Sequence, residues 1–538
     1  MPDPIDLRVG IDVGGTNTDA VVLDRDDHLL ASVKTPTTAD VTQGIVAALD
    51  GVMGDGAVQP ARVTHVMLGT THATNAVLER AGLDRVAVVR IGAPATRSVP
   101  PLTGWPKALR EVISIGEVIV RGGAELDGRA LVPFDPDEVR RFCTSLTERP
   151  QGVAITGVFS PVEPADERRA AAVVADELGS DVHMSLSHEV GSLGLLEREN
   201  ATVLNAALAG PARAVARALR EALAARGLES RTLFAQNDGT LMALEHALGF
   251  PVRTIGSGPA NGLRGAAYLT GLDDVVVIDV GGTSTDVGVL RHGFPRESTM
   301  GIDVGGVPTN IRAPDLVSIA IGGGSVIRPA GSIQGTREAA VGPDSVGYRL
   351  ATEALVFGGT TPTLTDAAVA AGRLTLTTSP GGPAAALGPE VRGALDRHGA
   401  LLQAGLEVAD LRIAEAVDRI KTVRGDVRLV VVGGAGALVP DHIPGVREIL
   451  RPADGGCANA IGAAIASVSG QVERVVRMGP GERERVLGEL GDAARRNAIA
   501  AGADPSRVLV AEVDEVPLAY LTERAARVRV RAVGPLQV

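Results

Sequence analysis

The chain has 538 residues, a net charge of −12 and 45% hydrophobic content, with one Trp, three Tyr, seven Phe and two cysteines. This length predicts roughly three to four domain-sized units with ample Val, Leu, Ile and Ala for a core, while the acidic balance and scarce aromatic rings argue against a nucleic-acid partner. Cys143 and Cys457 form no metal or redox spacing and fit small buried residues in a reducing compartment; no run reaches the ~18 apolar residues of a membrane span, MPDPIDLRVG carries no export signal, and the cytoplasm is the expected location.

The first element is RVGI, then DVGGTNTD at Asp12 to Asp19, then AVVL. It reads as strand, Gly-rich turn, strand. The octapeptide returns as DVGGTSTD at Asp279 to Asp286, between VVVI and VGVL, with only Asn17 exchanged for Ser284. Neither copy has the G-x-x-x-x-G-K-[ST] pattern, and Lys34, Lys107 and Lys421 are the chain's three lysines, so a phosphate hairpin is expected in place of a P-loop. Gly14, Gly15, Gly281 and Gly282 would turn the backbone tightly and present N–H groups to phosphate. Thr16, Asn17, Thr283 and Ser284 would add side-chain donors. Asp12 and Asp279, each ending a buried strand, would repel phosphate unless a divalent cation, Mg²⁺, lay between them. The alternative, D-G-G as hairpin punctuation, weakens when the motif occurs twice.

From Leu7 to about Val190 short Val/Ile-rich strands alternate with Ala/Arg/Glu-rich helices, an α/β pattern. Within it, Thr70 and Thr71 are natural N-caps for ATNAVLER, and His72 and Asn75 fall in the first turn, where N–H groups gather anions; capping alone and a substrate-side role both stay open. His188 and Glu189 in SHEV, if on a strand, point to opposite faces, and His188 fits a structural role better than a catalytic one. The stretch LLERENATVLNAALAGPARAVARALREALAARG is helical and long enough to bridge two lobes. The alternation restarts with TLFAQNDG and the second octapeptide, so the architecture reads as duplicated. Between about Gly301 and Pro389 the sequence is Gly-, Pro-, Thr- and Ser-rich, suiting loops around a site. In it, GIDVGGV at Gly301 to Val307 lacks the Thr and second Asp of the octapeptide and reads as a strand end or loop. Gly322, Gly323 and Gly324 before Ser325 offer a backbone nest for an anion or a flexible loop. Asp366 closes a T-x-T-x-D cluster that can cap the next helix. Residues 1–190 are expected to form one lobe, 191–470 a helical connection and second lobe, and 471–538 a small α+β appendage.

Several blocks together resemble the ATP-dependent subunit of the hydantoinase/oxoprolinase family. These are the two octapeptides, LGTTHATNAVLERAG, SHEV, ERENATVLNA, QNDGTLM, SGPANGLRGAA, SIAIGGGSV and GGTTPTLTDAAVAAGRL, in the family's order over about residues 7 to 470. The long members' Pro-Gly-Pro-Ala-Cys-Tyr-like stretch is replaced by VGYRLATEALVFGG, so the chain resembles a short-form branch. The resemblance implies duplicated ribonuclease-H-like lobes of the actin, sugar kinase and Hsp70 type around a nucleotide cleft, with ATP and Mg²⁺ as cofactors. It implies the two octapeptides as phosphate elements, Asp12 and Asp279 at the metal, and Asp286 or Asp19 orienting the nucleophile or cation. Gly433, Gly434 and Gly436 in VVGGAGALVP would face the adenosine, and GGCANAIGAAIA would be a small-residue helix packed against its counterpart between the lobes. The implied reaction is ATP-dependent opening of a cyclic amide such as a hydantoin, 5-oxoproline or a lactam, in an oligomer with a second hydantoinase-type subunit. A carboxylase component, a small-molecule kinase and a partner-gated ATPase are the alternatives.

Overall fold

The computed structural model describes residues 6–37, 41–54, 58–298, 301–330, 339–377, 385–477, 479, 481–518 and 525–537. Parts of the expected site wall, 331–338 and 378–384, and the first five residues of the N-terminal reading lie outside the described residues.

Each octapeptide turns a β-hairpin. Leu7–Val13 pairs antiparallel with Asn17–Leu23, placing Asp12 opposite Asp19, and Val275–Val280 pairs with Thr285–Arg291, placing Asp279 opposite Asp286. Around both hairpins the sheet grows in one order. In the first lobe it runs Leu29–Pro36, Asn17–Leu23, Leu7–Val13, Val63–Thr70, Arg231–Ala235, with the last two parallel to Leu7–Val13. In the second it runs Leu316–Ile319, Thr285–Arg291, Val275–Val280, Val427–Val432, Val446–Leu450, again ending in two parallel strands. Three antiparallel strands followed by two parallel ones is the ribonuclease-H-like order, so the duplication is visible strand by strand. Central strands covered on both faces read as unbroken Val and Ile, whereas the outer strand Leu29–Pro36 alternates between half-buried and exposed residues.

Between the fourth and fifth strands of the first lobe a four-stranded parallel sheet is inserted, in the order Ser114–Arg121, Val86–Ala93, Gly152–Gly157, His183–Leu186. The long helical stretch does not bridge the lobes. Helix Leu195–Ala207 packs on this inserted sheet, and Ala209–Ala224 packs on helix Val41–Met53 of the first lobe. The reason lies in ERENATVLNA, whose buried polar side chains find their partners there. Glu199 accepts from Arg90 Nε at 2.6 Å, Asn200 accepts from Trp105 Nε1 at 2.7 Å, and Asn205 donates to Ser185 Oγ at 2.9 Å. Burying such groups is tolerable only when each is satisfied.

The lobes meet through helices Ser257–Thr270 and Ala458–Ile465. Their small residues are a steric requirement: a β-carbon at Gly462 would overlap Asn261 O, and one at Gly265 would overlap Ala458 O. The C-terminal residues are no appendage. Val468–Arg477, Ala525–Gly534 and Leu509–Pro517 join Leu241–Ala243 and extend the first lobe's sheet to nine strands. The first lobe is thus assembled from three separated stretches, and divisions at 190 and 470 do not follow its sheet. Leu241–Ala243 would otherwise present an unpaired edge, which Val468 covers.

Candidate functional site

A cleft of about 1680 Å³ separates the lobes and is lined by both hairpins. Cross-strand partners share one face of an antiparallel sheet. The registers Asp12 to Asp19 and Asp19 to Lys34 therefore place a row of two carboxylates and one ammonium on the first lobe. Asp279 to Asp286 and Asp286 to Ser318 place the matching row on the second. Asp12, Asp19, Lys34, Asp279, Asp286 and Ser318 all line the cleft.

Lys34 Nζ donates to Asp19 Oδ2 at 2.7 Å, and Ser318 Oγ donates to Asp286 Oδ1. Burial, then repulsion from Asp19 and Asp279, pushes Asp12 up to about 7 against the pull of Lys34 and the Asn459 amide. Burial, then Asp286, pushes Asp279 up to about 7 against Asn459 and Lys34. Burial also raises Asp19, against Lys34, and Asp286, against Ser318. One cation among four carboxylates leaves negative charge that a divalent ion would balance. Buried Asp12 Oδ1 has no hydrogen-bond partner, nor has either amide atom of buried Asn261. Asp12 Oδ1 and the Asn261 amide nitrogen both lie against Gly69, where a β-carbon would come within 2.7 and 2.5 Å of them, so Asn261 stands beside the carboxylate as a donor and the oxygens of the two rows are the ligands on offer. An all-oxygen donor set with an orphaned carboxylate oxygen fits a hard cation such as Mg²⁺, which keeps several waters.

The hairpin turns are built for space. Gly14 N–H donates to Asn17 O at 3.0 Å and Gly281 N–H to Ser284 O at 2.9 Å, leaving Gly15–Thr16 and Gly282–Thr283 at the apices. None of Gly14, Gly15, Gly281 and Gly282 has a left-handed φ, so the tight turn alone does not demand glycine there. A β-carbon at Gly282 would overlap Thr16 Oγ1, and one at Gly15 would meet nothing within 4 Å. The two apices thus face each other, with open room over Gly15. Gly433 is different: its φ is +89°, and a β-carbon would overlap Asp279 Oδ1 and Val280 O.

The remaining candidates separate. Asn17, Thr71, Asn75, Ser284, Gly323, Gly433 and Gly434 line the cleft. Thr70 and His72 instead line a cavity of about 20 Å³ among Leu208, Val215, Phe234 and other apolar residues. Burial pulls the His72 pKa down; Thr70 Oγ1 accepts from His72 N at 3.0 Å in a local turn, while Thr71 stands at the N-cap of His72–Glu79 and makes no side-chain cap bond. Gly436 sits in the 3₁₀ turn Gly436–Leu438, its N–H donating to Gly433 O at 3.2 Å. The anion nest at Gly322, Gly323 and Gly324 is spent on the protein, its N–H groups donating to Ser325 Oγ at 2.9 Å, Gly281 O at 3.0 Å and Gly282 O at 2.7 Å. This run braces the second hairpin. Asp366 is a buried cap in a capping box with Thr363. SHEV is a helical turn, Ser187–Val190, with His188 Nδ1 2.5 Å from Glu167 Oε2. GIDVGGV forms the small hairpin Asp303–Val304 with Val307–Pro308 at the cleft's rim.

Sequence reasoning missed Lys34 and Asn459. Lys34 was visible as a lone lysine on an alternating strand, and its Nζ comes within 3.7 Å of where a β-carbon at Gly434 of the other lobe would lie. Asn459 was visible as a second repeat, Ala-Asn in PANG and again in CANA, placing Asn261 and Asn459 on the two interlobe helices.

Residues 198–472 match the family model described as hydantoinase/oxoprolinase, and residues 8–178 that of its N-terminal region. The chain is 29% identical over 492 residues to the acetophenone carboxylase gamma subunit of Aromatoleum aromaticum, covering 82% of this chain and 64% of that one. It is 28% identical over 397 residues to the caprolactamase subunit alpha of Pseudomonas jessenii, covering 68% and 54%. The solved ATP-dependent caprolactamase from Pseudomonas jessenii shares the fold, with a TM-score of 0.74 at 20% identity over 98% of this chain and 88% of that one. The chain therefore spans between about half and two-thirds of the length of these curated relatives.

Proposed function

Because the chain belongs to the hydantoinase/oxoprolinase family, we propose that it is an enzyme subunit that uses ATP to open a cyclic amide, such as a hydantoin, 5-oxoproline or a lactam, together with a second subunit. The observation that carries this reading is the convergence of two hairpin apices and two carboxylate rows on one cleft. Amide resonance makes the ring carbonyl a poor electrophile. Attack of the carbonyl oxygen on the terminal phosphorus of ATP releases ADP and leaves an activated carbon; one water adds there, the ring C–N bond breaks with nitrogen leaving as the protonated amine, and a second water hydrolyses the resulting acyl phosphate to carboxylate and phosphate.

In this reading the apices at Gly15–Thr16 and Gly282–Thr283 present backbone N–H groups to phosphate oxygens from opposite sides. Mg²⁺, when bound, would neutralise the phosphate charge that faces the carboxylates. Asp12 and Asp279 would hold that ion, and Asn459, facing both, would fix their orientation. Asp19 would keep Lys34 extended toward Gly434, where its charge counts on the phosphate side. Asp286, held by Ser318, would orient the attacking group.

The similarity to a carboxylase subunit favours one second reading: the same cleft activates a ketone or bicarbonate oxygen by phosphorylation. A single assay separates the two. Phosphate release by the purified chain with Mg²⁺ and ATP is measured against hydantoins, 5-oxoproline and lactams, and against ketones with bicarbonate, with and without the neighbouring gene product. Stimulation by a ring compound supports the amidohydrolase, and stimulation by a ketone with bicarbonate supports the carboxylase. No stimulation by either sinks both.

A further inference from the structure

The cleft changes character along its length. At the hairpins it is lined by carboxylates, hydroxyls and glycine backbone; beyond Gly323 and Ala435 its second-lobe wall is apolar, with Val356, Leu374, Leu376 and Leu438. Tyr348 and Phe357 stand on this wall. They are 50% and 45% exposed, and among the described residues they are the two exposed aromatic side chains. In a chain with 2% aromatic residues, leaving two half-exposed rings on one wall forgoes burial worth roughly 1 kcal/mol each. A planar ligand that stacks on them would restore it.

Both rings are tied to the second hairpin through the triple-glycine run. Tyr348 sits in the turn Gly347–Arg349, directly after Val346, whose N–H donates to Gly324 O at 2.9 Å; Gly324 N–H donates to Gly282 O at 2.7 Å. Phe357 ends the turn Leu355–Phe357, anchored by Val356 N–H donating to Asp366 Oδ1 at 2.8 Å. From that same cap, Thr365 N–H donates to Gly323 O at 2.9 Å, and Gly323 N–H to Gly281 O at 3.0 Å. Gly322 to Gly324, unavailable as an anion nest, thus set the distance between the hairpin apex and the two rings.

We propose that Tyr348 and Phe357 form the platform on which the nucleobase of the bound nucleotide stacks, so that this pair, with the apolar wall behind it, supplies the affinity for the base. The proposal rests on the nucleotide reading of the cleft. A polyanion at one end and a flat ring at the other is the shape of a nucleoside triphosphate, and aromatic stacking binds such rings without reading their hydrogen-bonding edges. Discrimination between ATP and GTP is accordingly modest.

The test is calorimetric titration of the full chain, in Mg²⁺, with ATP, GTP and inorganic tripolyphosphate, for wild type, Y348A/F357A and the ring-preserving Y348F. The double variant is expected to lose about tenfold or more in ATP affinity, to keep its tripolyphosphate affinity, and to melt as wild type does; Y348F holds ATP normally. Unchanged ATP affinity in Y348A/F357A overturns the platform while leaving the nucleotide cleft intact. Equal losses for ATP and tripolyphosphate overturn it too, showing that the rings merely brace Gly282. A wild-type chain that binds neither removes the nucleotide reading and the platform together.

Discussion

At the scale of single residues, burial and mutual repulsion govern the carboxyls of the cleft. Asp12 and Asp279 are pushed up to about 7 from an ordinary 3.8. A carboxyl raised in this way binds its proton more tightly folded than unfolded, so its contribution to stability is complete below about pH 4 and is lost as the pH rises through 7. An amide at either position is uncharged throughout. D279N is therefore expected to melt higher than wild type at pH 8 without ligands, by about 2 °C or more, while ATP turnover falls on the order of 10²-fold. A calorimetric melt and a phosphate-release assay on one preparation read both. A variant that turns over normally, or melts lower, contradicts the cation-site assignment. Lys34 is the complementary case. K34M leaves buried Asp19 without its ion-pair partner and withdraws the ammonium from Gly434, so turnover should drop by about 10- to 100-fold and the melting temperature should fall with it.

At the scale of elements, the octapeptides were legible because the motif is local: eight residues define both the hairpin and the Asp12–Asp19 face. Lys34 and Asn459 carry a sequence signal, but their place beside the carboxylates is not legible, because strand register and helix docking bring them in from other elements. Thr70 and Thr71 look equivalent in sequence, yet strand alternation sends Thr71 to the cleft and Thr70 to the core. The triple glycine looked like a nest because free N–H groups are assumed until acceptors are found, and here the second hairpin supplies two of the three. Two elements give sharp tests. The interlobe helices touch backbone to backbone at Gly462 and Asn261, so G462A must push Ala458–Ile465 away from Ser257–Thr270; a loss of roughly 1–3 kcal/mol is expected in denaturant unfolding, with ATP affinity falling as Asn459 shifts. In the inserted layer, Glu167 is buried and accepts from Gly157 N, Ser187 Oγ and His188 N; despite burial, the bonds from His188, Ser187, Ser160 and Gly157 hold its pKa below the ordinary 4.5. A carboxyl lowered in this way stabilises the fold above about pH 4.5, and that contribution is lost as pH falls through the lowered value. E167Q should cost about 2–3 kcal/mol at pH 7, and the gap to wild type should narrow in acid unfolding below pH 4. A gap that stays constant from pH 7 to pH 3 would show that the carboxylate's charge is not what holds SHEV.

At the scale of the whole molecule, the ribonuclease-H-like duplication was readable from two octapeptides, but the allocation of chain to lobes was not. Sequence order suggests that the residues after 470 are peripheral, because helix and strands there carry no motif. The sheet reverses that reading: Val528, Val530 and Ala532 are buried against helix Arg483–Ala501, and Arg529 ties Glu512 of the edge strand to Glu297 of the second lobe at 2.7 and 2.8 Å. The last strands therefore complete the sheet that carries Asp12 and also reach the lobe that carries Asp279. Deleting residues 479–538 would strip two strands from Val468–Arg477, expose the apolar face that Arg483–Ala501 covers, and leave Glu297 without Arg529 and Arg531. An appendage could be removed with the cleft surviving; two strands of a nine-stranded sheet, with the helix that covers them, could not. The truncated chain is expected to be aggregated or molten by size-exclusion chromatography and near-ultraviolet circular dichroism, with no ATP affinity. R529M in the full chain separates the two contributions, because it keeps every strand and removes one of the links between lobes, leaving Arg531 on Glu297 and Arg312 on Asp514. It should fold, retain tripolyphosphate binding, and lose stability by about 1–2 kcal/mol, because Glu297 and Glu512 keep Arg531 as a partner at 3.2 and 3.0 Å. A soluble, nucleotide-binding 1–478 fragment would instead restore the appendage view and confine the site to the two lobes.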